Sequence, residues 1–465
     1  MAHLTFLATL VLLALLTGAG ATVPTRVLVV GGGPAGQLLT HALLSRYRPG
    51  SGHLYEVTTV EARSFNPLAE EADGPRAYSL GLNIRGQSAL KHFDRPGGSF
   101  GLFHGIRKFA VESESFFLHI GKLKLQIRKK IEDKQPGDPP ATLMIARNRL
   151  CEGFITEGSR LYGDRFDMRF GIKLASVDFD KKEAVLSDGS ALKYDVIVGA
   201  DGVNSAVRKS MDQQISGFVS EEKVLPGAYR VFIQSNASSV MEPDAIHAME
   251  CTEKTRSGFG LFTIPAAGNK TCVLITWRKT SEMPQVLRNG SAEEIKDAIV
   301  RDFPQFGRPT DEAMAIFAKQ QNSVASTIKC STYSVPEKGI CLIGDACHST
   351  GGTLGQGANS ALQDVVALSK LLDETGDDVQ TSLRLYSKKQ QREGDALLAL
   401  LALPPKGPAG LLYNLEQLLR GLLSKLLPRL VSKPMQVALS QTLTPFSEVV
   451  RQNALWVWLA NRVRR

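Results

Sequence analysis

Three stretches of the chain run apolar without alternating: Val27 to Val30, Val196 to Val198 and Ile340 to Ile343. Short continuous apolar runs bounded by turn residues predict strands buried on both faces of a parallel sheet. Tyr55 to Val60 predicts a further strand beside the first. Each of the three runs ends in small residues and then takes up a helical pattern, over Gln37 to Leu44, from Ser205, and from Gly357 to Leu372. Helices are also expected at Gln87 to Phe93 and, opened by Met144 to Leu150, through Gly158. Elsewhere the period changes. Ile106 to Glu112 and Phe116 to Arg128 alternate as strands, and read as a sheet inserted between parts of the first domain. Ala228 to Gln234, Gly258 to Ile264 and Thr271 to Trp277 are β-rich, and Ala292 to Phe303 is an amphipathic helix. Between them, 129–140 is charged and proline-bearing, a solvated loop.

The turn after the first run reads Gly31-Gly32-Gly33-Pro34-Ala35-Gly36, which is G-x-G-x-x-G between a strand and a helix. Gly31 permits the tight turn, Gly33 lets a pyrophosphate approach the backbone, and Gly36 allows the helix to lie close on the sheet. Free N–H groups and the dipole at the helix start favour phosphate charge. The motif alone is weak, but its strand and helix flanks strengthen it. Glu61, ending the second strand ahead of Arg63, is placed to bond both hydroxyls of an adenosine ribose. Asp201-Gly202 and Gly344-Asp345 end the other two runs in an acid beside a glycine. Alone, Asp201-Gly202 would be a plain Asp-Gly turn.

Composition adds bounds. With 43% hydrophobic and 22% charged residues the chain is ordinary globular protein, long enough for two joined domains. Residues 396–465 hold nine Lys or Arg against Glu416 and Glu448, so +7 of the total +9 lies there. Leucines from Leu411 to Leu427 form a broad stripe among Arg420, Lys425, Arg429 and Lys433, the composition of an interfacial helix or of a cap on the core. Leu455 to Leu459 with its two tryptophans favours membrane contact, and no nucleic-acid module is visible. The six cysteines contain no C-x-x-C pair, so no metal site is expected from them, and a Cys251–Cys272 bridge requires an oxidising compartment. Leu4 to Leu16, followed by Ala19-Gly20-Ala21, has signal-peptide length, and three sequons (Asn236, Asn269, Asn289) fit a secretory route. The expected location is the endoplasmic reticulum or secretory pathway, membrane-associated; the alternative is a mitochondrial or plastid membrane.

The ordered set 31–36, 199–208 and 344–359 resembles the single-component FAD-dependent aromatic hydroxylases, the class A flavoprotein monooxygenases. Glu61-Ala62-Arg63, Arg76 to Gly86, Gly344 to His348 and Ala361 to Leu368 are similar to the kynurenine 3-monooxygenase branch. The resemblance implies an α/β fold: a Rossmann-type FAD-binding domain, an inserted mixed β-sheet substrate domain and a C-terminal helical region. It implies that Gly31, Gly33, Gly36, Glu61 and Arg63 hold the ADP half of FAD, with Arg147 touching the cofactor. Asp201 and Gly202 would serve the FAD and NAD(P)H pyrophosphates, and Asp345 beside Gly344 the ribityl chain. Gly355, Gly357, Ala358 and Asn359 would face the flavin's N1–C2=O edge, where a helix dipole stabilises the negative charge of the reduced ring. The implied reaction spends NAD(P)H and O2 to hydroxylate an aromatic small molecule through a flavin C4a-hydroperoxide, so no side-chain triad or metal is required. His348 is expected to pack or to support a neighbour rather than act as a base. Gly352 is expected beside the reaction site, where Gly351-Gly352 stands in place of the family's usual proline. Arg107 lies near the place of a substrate arginine. The rival readings are a flavoprotein epoxidase or reductase acting on an isoprenoid-like lipid, and a non-catalytic FAD-binding protein.

The expected division is 1–21 signal peptide or anchor; 25–105, 144–215 and 333–395 the FAD-binding domain; 106–143 the inserted β segment; 216–332 the substrate domain; and 396–465 the basic helical region.

Overall fold

A computed structural model describes residues 23–48, 52–64, 78–94, 101–121, 123–128, 130–132, 138–235, 241–249 and 257–463. The apolar run at the N-terminal end, the cleavage-like Ala19–Ala21, Arg76, Asn236 and Cys251 lie outside them.

The three continuous apolar runs lie side by side, as their lack of alternation requires. Thr25–Val30 pairs in parallel with Tyr55–Glu61 on one side and Val196–Gly199 on the other, and Val196–Gly199 pairs in parallel with Ile340–Leu342. Asp167–Phe170 and Ser334–Val335 complete a six-stranded sheet. Val27 to Val30 are at most 5% exposed because helices cover both faces of the sheet. Pro34–Leu44 packs on Gly357–Glu374 and on Arg147–Tyr162. Ligands of open α/β sheets bind beyond the carboxyl ends of the strands, and here those ends are Gly31, Glu61, Ala200 and Ile343.

The second sheet has seven strands, in the order Ser323–Cys330, Ser220–Ser235, Lys270–Trp277, Gly260–Ala266, Ile246–Met249, Phe116–Ile120 and Leu123–Arg128. Alternation divides its two faces. Phe232, Val273, Ile275 and Trp277 pack against the helices Ala292–Asp302 and Asp311–Ala318 through Ile295, Ile299, Met314 and Phe317. Val231, Ile264 and Cys272 point the other way and pack on Met144 of the strand Thr142–Ala146, beside the first domain. Cys272 is a buried free thiol, so the described structure gives it no disulfide.

Three expectations are corrected here. Thr142–Ala146 is a strand paired with Ser79–Leu82, so the helix expected to open at Met144 starts only at Arg147. Leu102–Arg107 is a helix rather than the start of a strand: Leu102 and Ile106, four apart, share its buried face. The strands at 116–128 form no sheet of their own; Phe116–Ile120 adds in parallel to Ile246–Met249 and extends the substrate-side sheet. The strand 111–113 goes elsewhere, to a three-stranded sheet with 79–82 and 142–146.

The C-terminal chain is helical: Val379–Leu400, Pro408–Leu426, Met435–Gln441, Phe446–Gln452 and Ala454–Val463. Leu397, Leu400, Leu439, Phe446 and Val449 form its own core. Among the described residues no helix is long and apolar enough to cross a membrane.

Candidate cofactor and active site

Sterics separate the roles of the motif glycines. Gly31 has φ +112°, and a Cβ on it would lie 2.4 Å from Ala200 O, so strand 196–199 approaches too closely for any side chain. A Cβ on Gly36 would lie 2.0 Å from Gly31 O, so the helix rests directly on the turn. Gly33 differs. Its backbone is ordinary, at φ −74°, and a Cβ would meet only the end of a side chain, Arg147 Nη2 at 3.1 Å. The helix Pro34–Leu44 starts with no side-chain cap, leaving its first N–H groups free for an anion.

Glu61 stands at this turn. Its Oε2 accepts from Gly32 N at 2.9 Å and its Oε1 from Arg63 N and Nε at 3.0 and 2.9 Å. Burial works to raise its pKa, but the Arg63 guanidinium outweighs it and holds the carboxyl below 4.5. The side chain is therefore an ionised acceptor, fixed in place at the end of the second strand.

Asp201 and Ser205 close the opposite wall. Asp201 Oδ2 accepts from Ala206 N at 2.5 Å, and Ser205 Oγ caps the helix Ala206–Gln214 through Arg208 N. Asp201 Oδ1 is buried with no hydrogen-bond partner among the described residues, and burial raises the pKa of the group. A buried carboxylate oxygen left open at the strand ends fits a ligand carrying hydroxyl or amide donors. Gly202 follows at φ +73° with nothing near the space of a Cβ.

Gly344, at φ +61°, ends the third run and starts the short helix Asp345–His348. Asp345 is half-buried at its first position. Burial raises its pKa, with His348 and Arg147 pulling the other way. Asp345 Oδ1 lies 3.6 Å from where a Cβ on Gly357 would stand. Gly357 opens the long helix Gly357–Glu374, which also lacks a side-chain cap. The two uncapped helix starts thus converge on the Gly344–Asp345 turn, where a Cβ on Gly344 would lie 3.8 Å from Ala35 Cβ, with Arg147 beside Gly33; the region they share is the candidate cofactor chamber. Burial lowers the pKa of Arg147, but Cys151, Tyr78, Glu61 and Asp345 more than compensate, so it stays a cation.

The expected residues do not all have free side chains. Asn359 Oδ1 accepts from Asn83 N and Gly86 N at 3.0 and 3.2 Å, and its Nδ2 donates to Gly81 O and Gly355 O. Only its backbone remains for a ligand; Ala358 likewise offers an N–H, and Gly355 an open turn at φ +63°. His348 is buried under the chamber and bonded to Asp364. Arg107 is exposed and paired with Glu112. Gly351 and Gly352 have φ +63° and +78°, which proline cannot adopt, and a Cβ on Gly351 would lie 2.5 Å from Leu225 Cδ1 of the substrate-side sheet.

Sequence reasoning missed Asn83, Gln356, Tyr78, Asp364 and the role of Arg85. Arg85 Nε donates to Leu439 O at 3.0 Å, its Nη2 donates to Ala438 O and Thr444 O, and its guanidinium lies 4.3 Å from the Phe446 ring centroid. It ties the C-terminal helices to the cofactor-side helix Ile84–His92, and burial pushes its pKa down to about 10. No local signal announces such a contact, since its partners are carbonyls more than 350 residues away.

Residues 96–399, more than half of the chain, match the family model described as FAD binding domain. The chain belongs to the FAD-binding domain family. The matched span holds Arg147, Asp201, Asp345 and Gly357, and Gly31–Gly36 and Glu61 join it through the shared sheet. Kynurenine 3-monooxygenase of Flavobacterium johnsoniae is 25% identical over 81% of this chain and 78% of its own. Violacein synthase of Chromobacterium violaceum is 24% identical over 80% and 83%. Among solved structures, 2-methyl-3-hydroxypyridine-5-carboxylic acid oxygenase shares the fold at TM-score 0.62, with 20% identity over 84% of this chain and 96% of that one. PqsL of P. aeruginosa, in complex with 2-aminobenzoylacetate, shares it at 0.58, with 18% identity over 82% and 97%. The protein is accordingly an FAD-dependent oxidoreductase of the class A aromatic monooxygenase type.

Proposed function

We propose that the protein uses NAD(P)H and O2 to hydroxylate an aromatic small molecule, with kynurenine the first substrate to test. The observation that carries this is the pair of uncapped helix starts, at Gly33-Pro34 and Gly357, converging on the Gly344–Asp345 turn with Arg147 beside Gly33. The first would receive the pyrophosphate with Gly33 and Arg147, Glu61 the ribose, and Asp345 the ribityl hydroxyls. When bound, FAD would supply the redox chemistry, taking hydride from NAD(P)H and passing one oxygen atom of O2 to the ring while the other leaves as water. The chain's own contribution is to bind, orient and exclude water. The N–H groups of Gly357, Ala358 and Asn359 lie at the positive end of an 18-residue helix and favour negative charge on whatever faces them. Val231, Ile264 and Phe262 give the substrate-side sheet an apolar face towards the first domain, suited to a planar ring.

Purified protein is titrated with NADPH in the presence and absence of kynurenine under labelled O2. Faster flavin bleaching and label in a hydroxylated product are expected. Bound flavin that oxidises NADPH while no label enters any aromatic tested would refute the oxygenase reading.

We further infer membrane-surface contact through Pro408–Leu426, in keeping with the expected secretory or organelle location. Leu411, Leu418 and Leu426 are 74%, 63% and 75% exposed, and Leu430 beyond them 82%. Lys425, Arg429 and Lys433 follow the same stretch and complement anionic headgroups. The same leucine face favours a second reading, an epoxidase or reductase of a lipid drawn from that surface. Product formation from an isoprenoid and not from any aromatic would decide for it.

A further inference from the structure

Asp364 lies two turns into the helix that starts at Gly357, and its side chain is 3% exposed. Every bond it makes points to the Gly344–Asp345 turn or its supports. Its Oδ2 accepts from Gly344 N at 2.8 Å and stands 2.6 Å from His348 Nε2. Its Oδ1 accepts from Gln390 Nε2, on the helix Val379–Leu400, at 2.8 Å. The Tyr333 ring lies over His348 with centroids 5.6 Å apart, and Gly394 makes room, since a Cβ there would be 2.9 Å from His348 Cβ. Cys347, the third group of this cluster, sets its thiol 3.3 Å from Gly344 O and 3.5 Å from Leu342 O. Both Asp364 oxygens, His348 Nε2 and the thiol are engaged, while His348 Nδ1 is buried without a partner among the described residues; the bonds that are made all hold the turn, so a structural role explains the cluster better than a cation would.

The turn needs such support. Gly344 sits at φ +61°, and the carboxylate of Asp345 is held in a partly apolar wall with no side-chain cap on its helix. We propose that His348, Asp364 and Gln390 form a positioning unit for the cofactor site. Asp364 fixes the Gly344 amide, Gln390 fixes Asp364, and His348, bonded to Asp364, anchors the far end of the short helix whose first residue, Asp345, would face the FAD ribityl chain. The inference rests on the FAD reading of the chamber.

Electrostatics agree with the geometry. Burial alone lowers the pKa of His348, but Asp364 and then Asp345 outweigh it and hold the group above 6.5. The other titratable or charged groups around the pair are Tyr333, Tyr386, Cys330, Cys341 and Cys347, with Asp395 beside Tyr333 and Arg147 on the far side of Asp345. Arg208 also touches this short helix, donating to Ala346 O at 3.0 Å. Loss of the imidazole proton weakens the pairing with Asp364 and loosens that anchor, so FAD affinity falls as pH rises through the His348 titration.

The test is FAD affinity and the flavin midpoint potential against pH, in the full chain and in His348→Gln. His348→Gln is expected to bind FAD at least tenfold more weakly at neutral pH and to lose the decline at high pH, at an unchanged circular dichroism spectrum. Gln390→Leu, on the outer helix, covers the case in which His348→Gln does not fold; several-fold weaker binding and a displaced pH profile are expected. Wild-type affinity, potential and pH profile in the folded variants would overturn the proposal while leaving the FAD site intact. A wild-type chain that takes up no FAD would overturn both.

Discussion

Gly33 and Gly36 belong to one motif, yet the structure gives their alanine variants opposite outcomes. At Gly36 the backbone is helical, where alanine normally gains about 0.5–1 kcal/mol over glycine. Here its Cβ would stand 2.0 Å from Gly31 O and 3.2 Å from Ala200 Cβ, against backbone that cannot retreat. Overpacking of this kind costs about 1–3 kcal/mol or more, so Gly36→Ala is expected to lower the melting temperature. At Gly33 the extended backbone accepts alanine, and the Cβ meets only the tip of Arg147 at 3.1 Å. The fold should survive within about 0.5 kcal/mol. What changes is the approach of a pyrophosphate to the backbone and to Arg147. A hydrogen bond to a charged group is worth about 1.5–3 kcal/mol, which is roughly a 10- to 150-fold loss of FAD affinity. Thermal melts of the apoprotein and quenching of FAD fluorescence measure the two quantities separately. Unchanged FAD affinity in Gly33→Ala would refute the cofactor role of the turn. An unchanged melting temperature in Gly36→Ala would refute the steric argument.

Three further outcomes follow from the same geometry. The Glu61 carboxyl is held below 4.5 by Arg63, so its stabilisation is full above that pH and is lost as pH falls through the folded value. Glu61→Gln should flatten the acid limb of stability and weaken FAD binding; an acid limb identical to wild type would refute it. His41 is buried, donates from Nε2 to Phe154 O at 2.8 Å, and has its pKa pushed down to about 4 by burial. Because the neutral ring is favoured in the fold, stability is full above 6.5 and declines as pH falls towards 4. Chemical denaturation at stepped pH should show that slope, and His41→Gln should reduce it; equal slopes would count against it. On the exposed helix 408–426, Leu418→Ser with Leu422→Ser should leave the melt within about 0.5 kcal/mol and abolish sedimentation with anionic vesicles. Retained vesicle binding would rule out this face.

The legibility of the fold followed the kind of signal. Val27 to Val30 needed only a continuous apolar run to be read as an interior strand, and the run is buried as that reading requires. Glu61 was readable because the strand before it fixes where its side chain must stand. The insertion at 116–128 was not, because alternation identifies a strand without naming its neighbour; the partner, Ile246–Met249, is over a hundred residues away. Leu102–Arg107 was missed because two buried positions four apart make too short a stripe to outweigh the alternation that follows. Asn359 looked like a flavin contact from its place after Gly355-Gln356-Gly357. That expectation concerns its N–H; its side chain closes four backbone bonds, a use of asparagine that leaves no periodic trace.

The helix 357–374 explains why the site tolerates so little rearrangement. Its first turn presents free N–H groups to the chamber, and Asn359, on the same turn, holds the start of the helix 84–92 through Asn83 and Gly86. One turn later Gln363 Nε2 donates to Arg85 O at 2.6 Å and to Ser88 Oγ at 3.0 Å. Next to it Asp364 holds the Gly344 amide. Arg85 in turn carries the C-terminal helices on its guanidinium. Three attachments within eight residues of one helix therefore orient the positive end of its dipole, the acid-bearing turn and the C-terminal region together. A shift of this helix large enough to move its dipole away from the chamber would break buried hydrogen bonds at Asn359 and Asp364 at once, each costing about 1–3 kcal/mol. Chemistry that depends on charge stabilisation at one fixed point is best served by such a coupled mounting.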